Sequence, residues 1–224
     1  MHNWLNRLER RLYKYNIPPI MRYIVFAMGG VFLLDLFLGM TTAYTARVSL
    51  ISYLTLNIPA VLQGQIWRLV TWLFVPQQGS IFWMALSLYF YYMIGLGLEN
   101  QWGKVRFNLY YGVGMLGSII AALITGYGSN MFLNLSLFFA YAALYPDEQV
   151  LLFMFLPIKM KYLALADAAL YLYYFIVGGA STRVTIVLCL LNVFLFLGGD
   201  IINTIRRESR YWKTRYNFRK AMRK

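Results

Sequence analysis

Six apolar runs constrain this chain more than any other feature of its sequence. Each run holds between 15 and 22 residues and at most one charged side chain, and a helix needs about 20 apolar residues to cross a bilayer. Of the 224 residues, 60% are hydrophobic and 13% are charged, a balance that a soluble fold cannot bury. We therefore predict an all-α, polytopic membrane protein with six transmembrane helices, over residues 23–40, 81–98, 109–125, 131–145, 162–177 and 184–205.

The net charge of +13 is concentrated at the two ends of the chain. Five basic residues lie between Arg7 and Arg22 and nine between Arg206 and Lys224. Six spans place both ends on one side together with the loops that carry Lys104, Arg106, Lys159 and Lys161. That side then holds 18 of the 21 basic residues, and Arg47, Arg68 and Arg183 lie outside. Because basic loops stay cytoplasmic, both termini are expected in the cytoplasm. We predict contact with anionic lipid headgroups, a possible soluble cytoplasmic partner and no nucleic acid.

The same pattern divides the chain into three parts. Residues 1–21 form a basic N-terminal segment with one apolar helical stripe, residues 22–205 form the membrane domain, and residues 206–224 form a basic tail. Between the first two spans, GQIWRLVTWLFVP mixes aromatic and cationic side chains, as expected of a segment at the outer membrane interface. In this loop Trp67 and Arg68 are the predicted anchors, and they are also candidate client contacts.

Small residues in the third span recur every four positions. They place one face of small side chains where a neighbouring helix can approach closely. We predict tight packing inside the monomer, with dimerisation as the alternative. The stripe consists of Gly114, Ser118, Ala122 and Gly126.

Three aspartates lie inside the apolar runs, where a charged group is costly and hence a functional candidate. We expect Asp35 to pair with Arg47 or Arg68, and Asp167 and Asp200 to face inner basic residues or headgroups. The motifs of aspartyl intramembrane proteases are broken at both of the latter positions. The single cysteine, Cys189, allows no internal disulfide or thiol metal cluster, and we predict neither metal nor cofactor.

Four motifs in order resemble the rhomboid superfamily over residues 60–205. They read GQIWRLVTWLF, GLGLENQWGKVRFNLYY, YPDEQVLLFMFLPIKMKYLAL and FLGGD. The resemblance implies a six-helix rhomboid-like bundle with an interfacial loop between helices 1 and 2. It also implies a fourth span that begins near the middle of the membrane, which suits the short run at 131–145.

Active rhomboids cleave helices in the membrane with a serine and a histidine. The resemblance places those positions at Met131 and Phe196, and the one histidine of the chain is His2, ahead of every span. A nucleophilic serine needs a base within hydrogen-bond reach. We therefore expect a pseudoprotease. The alternatives are an intramembrane serine protease with a non-standard site, using Ser129 or Ser136, and a small transporter or channel.

Among inactive relatives, the runs Gly64–Leu69 and Pro157–Leu163 look like derlins. That resemblance implies binding of transmembrane or misfolded clients, help with their quality control or extraction, and local thinning of the bilayer. One departure is that Gly199 is followed four positions later by Asn203, where derlins have a second glycine.

Two amides inside the spans, Asn134 and Asn192, are the further candidate client contacts, because an amide can hydrogen-bond to an exposed backbone. Structural roles are expected at the turn between the second and third spans and at the remaining motif positions. These residues are Gly64, Glu99, Trp102, Gly103, Pro157, Gly198 and Gly199.

Overall fold

The computed structural model describes residues 18–41, 49–76, 80–152, 156–180 and 182–198. In chain order its helices are α1 (Ile20–Thr41), α2 (Leu50–Leu54), α3 (Ile58–Leu62), α4 (Arg68–Thr71), α5 (Ile81–Trp102), α6 (Lys104–Thr125), α7 (Met131–Leu144), α8 (Met160–Val177) and α9 (Thr182–Gly198). Four short strands, β1 (Leu56–Asn57), β2 (Tyr127–Gly128), β3 (Gln149–Leu152) and β4 (Leu156–Lys159), form two antiparallel pairs.

As far as the structure describes them, the predicted spans lie on the six longer helices, which confirms the all-α class. By length and composition α1, α5, α6 and α8 are able to cross a membrane, and these four helices mark a multi-pass membrane protein. The helices α7 and α9 are apolar but shorter. The 14 residues of α7 extend about 21 Å, less than the roughly 30 Å of a hydrocarbon core.

Two glycines with left-handed backbone geometry set the ends of α6. Gly103, at φ 82°, joins α5 to α6 through a single residue. Gly126, at φ 87°, ends α6 and donates its N–H to the carbonyl of Ala122 at 2.7 Å. A residue with a Cβ rarely adopts this conformation, so both positions favour glycine.

The core lies where α5, α6 and α7 meet. The helix α5 packs against α1, α6 and α7, and α7 packs in turn against α6 and α8. At its centre the ring of Tyr110 lies 5.2 Å from that of Trp102 and 5.1 Å from that of Phe196. Glycine permits the close approach of neighbours here, since a Cβ at Gly114 would lie 2.5 Å from Leu133 and 2.7 Å from Asn192.

The loop between α1 and α5 is held by a buried arginine. The guanidinium of Arg68, only 6% exposed, donates to the carbonyls of Ser52 at 2.8 Å and Thr55 at 2.9 Å and to Oε1 of Gln65 at 2.6 Å. The predicted pairing of Asp35 with Arg68 is therefore wrong. Asp35 instead accepts a hydrogen bond from the Ser49 hydroxyl at 3.0 Å. The guanidinium of Arg68 binds backbone carbonyls at the ends of the short helices, because these carbonyls have no partner within a helix.

A short strand pair connects this loop to the other side of the bundle. β1 pairs with β2 through Leu56 opposite Gly128 and Asn57 opposite Tyr127. The N–H of Ile58 also donates to the carbonyl of Gly126 at 2.9 Å. The loop is thus fixed to the connection between α6 and α7, next to the first turn of α7.

At the opposite end of α7, β3 and β4 form a hairpin that leads into α8. Asp147, just before the hairpin, contacts Lys161 at 2.8 Å and Lys159 at 3.4 Å. The hydrogen bond and charge of Lys161, followed by those of Lys159, hold the pKa of the Asp147 carboxyl below its usual value. Tyr141 donates to Glu148 at 2.5 Å, which connects α7 to the same turn.

Several predictions fall outside the described residues. They concern most of the segment 1–21, the tail 206–224, the end of the sixth predicted span, and His2, Arg47, Gly199 and Asp200.

Candidate functional site

A cleft of about 630 Å³ lies between α5, α7 and α8. The helix α7 contributes the middle of its lining, and α5 and α8 contribute the two sides. Fourteen residues line it: Trp83, Leu86, Ser87, Phe90, Tyr91, Ile94, Met131, Asn134, Leu135, Phe138, Asp167, Leu170, Tyr171 and Tyr174.

The lining residues of each helix share one helical face. Those of α8 are 167, 170, 171 and 174, and those of α7 are 131, 134, 135 and 138. Residues three and four positions apart project from the same side of a helix. The cleft is therefore built from one continuous stripe of α7 facing one continuous stripe of α8, with α5 closing the other side.

The cleft opens on one side of the bundle. Trp83 of α5 is 50% exposed and Tyr174 of α8 is 48% exposed, although both line the cleft. Tyr171 is supported from behind by Phe139, with ring centroids 6.3 Å apart. An apolar, aromatic opening of this kind faces lipid when helices α5 and α8 cross a membrane.

Two polar groups dominate the lining. Asn134 is 4% exposed, and its Nδ2 has no hydrogen-bond partner in the part of the chain that the structure describes. Asp167 is half-buried in α8. Ser87, a further polar side chain of the lining, donates to the carbonyl of Met84 at 2.8 Å. The lining therefore contains a buried amide N–H group without a partner among the described residues and a half-buried carboxyl group.

Asn192, the other predicted client contact, lies elsewhere. It is buried between α6 and α9, and its Nδ2 donates to the carbonyl of Tyr110 at 3.4 Å. It borders a separate cavity of about 10 Å³ together with Gly114, Ser118 and Ser136. That volume is close to one water molecule. Of the two amides, the structure brings only Asn134 into the cleft.

The two positions that the resemblance gives to the catalytic serine and histidine, Met131 and Phe196, have different surroundings. Met131 lies at the rim of the cleft, at the start of α7. Phe196 is fully buried and meets Tyr110 edge-to-face, with an interplanar angle of 86°. The hydroxyl of Tyr110 donates to the carbonyl of Ser136 at 2.8 Å. An aromatic cluster therefore fills the place that the resemblance gives to the histidine.

Both candidate serines already make local hydrogen bonds. The hydroxyl of Ser136 is buried and donates to the carbonyl of Leu133 at 2.8 Å. The hydroxyl oxygen of Ser129 accepts from the N–H of Met131 at 3.2 Å. Local hydrogen bonds of this kind, between a serine hydroxyl and a nearby backbone group, are common in the first turns of a helix.

The remaining predicted residues lie away from the cleft. Trp67 is exposed and Arg68 is buried, both in the loop between α1 and α5. Glu99 and Trp102 are buried beside Gly103 at the turn between α5 and α6, where the guanidinium of Arg106 stacks 5.7 Å from the Trp102 ring centroid. The others are Gly64 at φ 101° in the loop, Pro157 in β4 and Gly198 at the end of α9.

Sequence reasoning singled out Asn134 and Asp167 but missed the aromatic side chains around them. The spacing of 167, 170, 171 and 174 was the available signal. Among the described residues no group of three or more histidine, cysteine, aspartate or glutamate side chains could hold a metal ion.

Comparison with known proteins found no similar protein. No family model matches the chain, no curated protein is significantly similar to it, and no solved structure matches its fold. The rhomboid resemblance therefore rests on the sequence motifs alone.

Proposed function

We propose that this protein is a catalytically inactive, rhomboid-like and derlin-like membrane protein that binds transmembrane or misfolded clients and assists their quality control or extraction. The observation that carries the proposal is the cleft between α5, α7 and α8. It is open on one side and mainly apolar, and its lining includes Nδ2 of Asn134, which has no hydrogen-bond partner among the described residues.

The chemistry of the cleft suits a helix that enters from the lipid. Lipid tails supply no hydrogen bonds, so a client with an exposed backbone carbonyl gains from a donor inside the membrane. Such bonds contribute about 0.6 kcal/mol on average and up to about 1.7 kcal/mol. Nδ2 of Asn134, without a partner in the described part of the chain, would be a donor of this type. The aromatic walls would contact the apolar side chains of the same client.

Weak packing of α8 supports lateral entry. Within α8 the fully buried residue is Met160, at the first position of the helix. The side chains beyond it, including Leu165, Leu172 and Ile176, are largely exposed. Displacing the far end of α8 would therefore break few packed contacts, and the cleft could widen to admit a helix.

Six spans with both termini in the cytoplasm complete the proposal. In this arrangement α7 and α9 are the short fourth and sixth spans. The mismatch between α7, about 21 Å long, and the hydrocarbon core is relieved when nearby lipid thins, at a cost of a fraction of a kcal/mol per ångström. The basic segments 1–21 and 206–224 would then contact anionic headgroups.

The two amides provide the test of client binding. We expect Asn134→Leu to weaken crosslinking of client helices to the purified, reconstituted protein, because it removes the donor in the cleft. Asn192→Leu is the matched control: it removes the same amide outside the cleft. Equal crosslinking by Asn134→Leu, Asn192→Leu and the parent protein would contradict this part of the proposal.

The protease alternative has a direct test of its own. The reconstituted protein is incubated with a fluorophosphonate probe and a generic transmembrane substrate, beside an active rhomboid. We expect neither labelling nor cleavage, because a nucleophilic serine needs a base within reach, whereas the Ser136 hydroxyl donates to the Leu133 carbonyl and that of Ser129 accepts from the N–H of Met131. Labelling at either serine would overturn the pseudoprotease and favour the non-standard protease.

A further inference from the structure

One carboxylate is the sole charged group among the fourteen residues that line the cleft. It is Asp167, and six of the other lining residues are aromatic. In the described ranges both ion pairs involve Asp147, outside the cleft, and neither involves Asp167. The cleft thus presents one carboxyl group with aromatic walls and no lining cation.

A carboxylate at this position favours one kind of ligand. Inside a membrane a charged group is costly and is commonly paired. The faces of tryptophan and tyrosine attract cations, most strongly where water is excluded. A cation entering the cleft would therefore gain from both the carboxylate and the rings, whereas an anionic group would be repelled.

The carboxylate and the free amide lie at similar depth. Asp167 is seven residues beyond Met160, the start of α8, or about 10 Å along the helix. Asn134 is ten residues before Leu144, the end of α7, or about 15 Å. The hairpin joins these two helix ends, so both groups lie in the same part of the cleft, about one helical turn apart along the bundle.

These observations deepen the proposed function and rest on it. We propose that the cleft selects transmembrane helices that carry a lysine or arginine within their apolar segment. The cation pairs with the carboxylate of Asp167 beside Tyr171 and Tyr174, and Nδ2 of Asn134 donates to a backbone carbonyl of the same helix. A helix of this kind lacks an acidic partner in the bilayer and gains one here.

The test uses the full chain in phosphatidylcholine nanodiscs, a lipid without net charge, so that the basic tails attract no lipid surface. The probes are two fluorescent, apolar peptides of about 22 residues, identical except for a central lysine or glutamine. We expect the lysine peptide to bind at least about tenfold more tightly. Asp167→Asn should abolish that difference, and Asp167→Glu should restore part of it.

Asp35→Asn is the matched control, since Asp35 is a second aspartate in a span but bonds to Ser49 outside the cleft. It should keep the preference for lysine. If Asp167→Asn keeps the preference as well, or if the parent protein binds both peptides equally, the inference is overturned while client binding stands. If neither peptide binds, the proposed function falls with it.

A small lipophilic cation tests whether the cleft binds small cations rather than transmembrane helices. Tetraphenylphosphonium binding that depends on Asp167, without binding of the lysine peptide, would identify a site for small cations and overturn the helix as its ligand. Competition between tetraphenylphosphonium and the lysine peptide for the parent protein would support the proposal.

Discussion

The buried guanidinium of Arg68 predicts how the loop between α1 and α5 responds to mutation. It donates three hydrogen bonds, two of them to the carbonyls of Ser52 and Thr55. A hydrogen bond to a charged group contributes about 1.5–3 kcal/mol. The three bonds share one group and do not add, and glutamine can remake one of them. We therefore expect Arg68→Gln to lower the free energy of unfolding by about 3 kcal/mol.

Two variants calibrate this value. Arg68→Lys keeps the charge but offers a single ammonium in place of the planar guanidinium, so its loss should be intermediate. Arg183→Gln removes another arginine that donates to two carbonyls, those of Phe175 at 2.9 Å and Ile176 at 3.0 Å. Arg183 is exposed, and water can replace it. Its loss should stay below about 1 kcal/mol.

The assay is reversible unfolding in mixed detergent micelles, followed by far-UV circular dichroism. Hydrogen exchange localises the effect. The N–H of Ile58 bonds to the carbonyl of Gly126. It should exchange faster in Arg68→Gln than in the parent protein, and at the parent rate in Arg183→Gln. If the two glutamine variants lose the same stability, or if exchange at Ile58 is unaffected, the anchoring role of Arg68 is refuted.

Three further predictions test the packing and the charges of the bundle. Gly114→Ala should cost about 1–3 kcal/mol of unfolding free energy, because its methyl would overlap side chains of α7 and α9. The control Gly112→Ala meets open space and should stay within about 1 kcal/mol of the parent. Equal losses in the two variants would contradict the close packing at Gly114. The pKa of Asp147 is lowered, so its contribution to stability holds above the unfolded carboxyl pKa of about 3.9 and disappears as pH falls through the folded value. The melting difference between the parent and Asp147→Asn should therefore be constant from about pH 5 to 8 and shrink in acid, and a change near neutral pH would refute it. Asn130→Ala removes the bond to the Val75 carbonyl at 2.6 Å and should cost about 1 kcal/mol, measured by the same unfolding assay; no loss would show that this bond does not hold α7 to the loop.

The positions of the six longer helices could be predicted from hydropathy alone, whereas the short helices α2, α3 and α4 could not. An apolar run of this length has few alternatives to a helix, and the shortness of α7 was visible in the run 131–145. Its first residue, Met131, was placed correctly because the apolar run begins there.

Side-chain partners were harder to predict, since they depend on which faces meet. Asp35 was expected to pair with Arg47 or Arg68, but a neutral hydroxyl binds Asp35 and backbone carbonyls bind Arg68. Asn134 and Asn192 look equivalent in the sequence, yet only the first faces a cleft. The rotation of each helix about its axis decides such differences, and apolar spans carry little amphipathic signal to reveal it.

The central claim is that clients occupy the cleft between α5, α7 and α8. The most direct measurement is a photo-crosslinking scan in living cells, with a crosslinking amino acid replacing Trp83 or Tyr174 at the cleft, or Leu123 or Ile124 on the exposed face of α6. The account predicts crosslinks to transmembrane segments of other proteins from the two cleft positions and few from the two positions on α6. Equal crosslinking from all four positions, or crosslinks from the cleft to lipid alone, would contradict it.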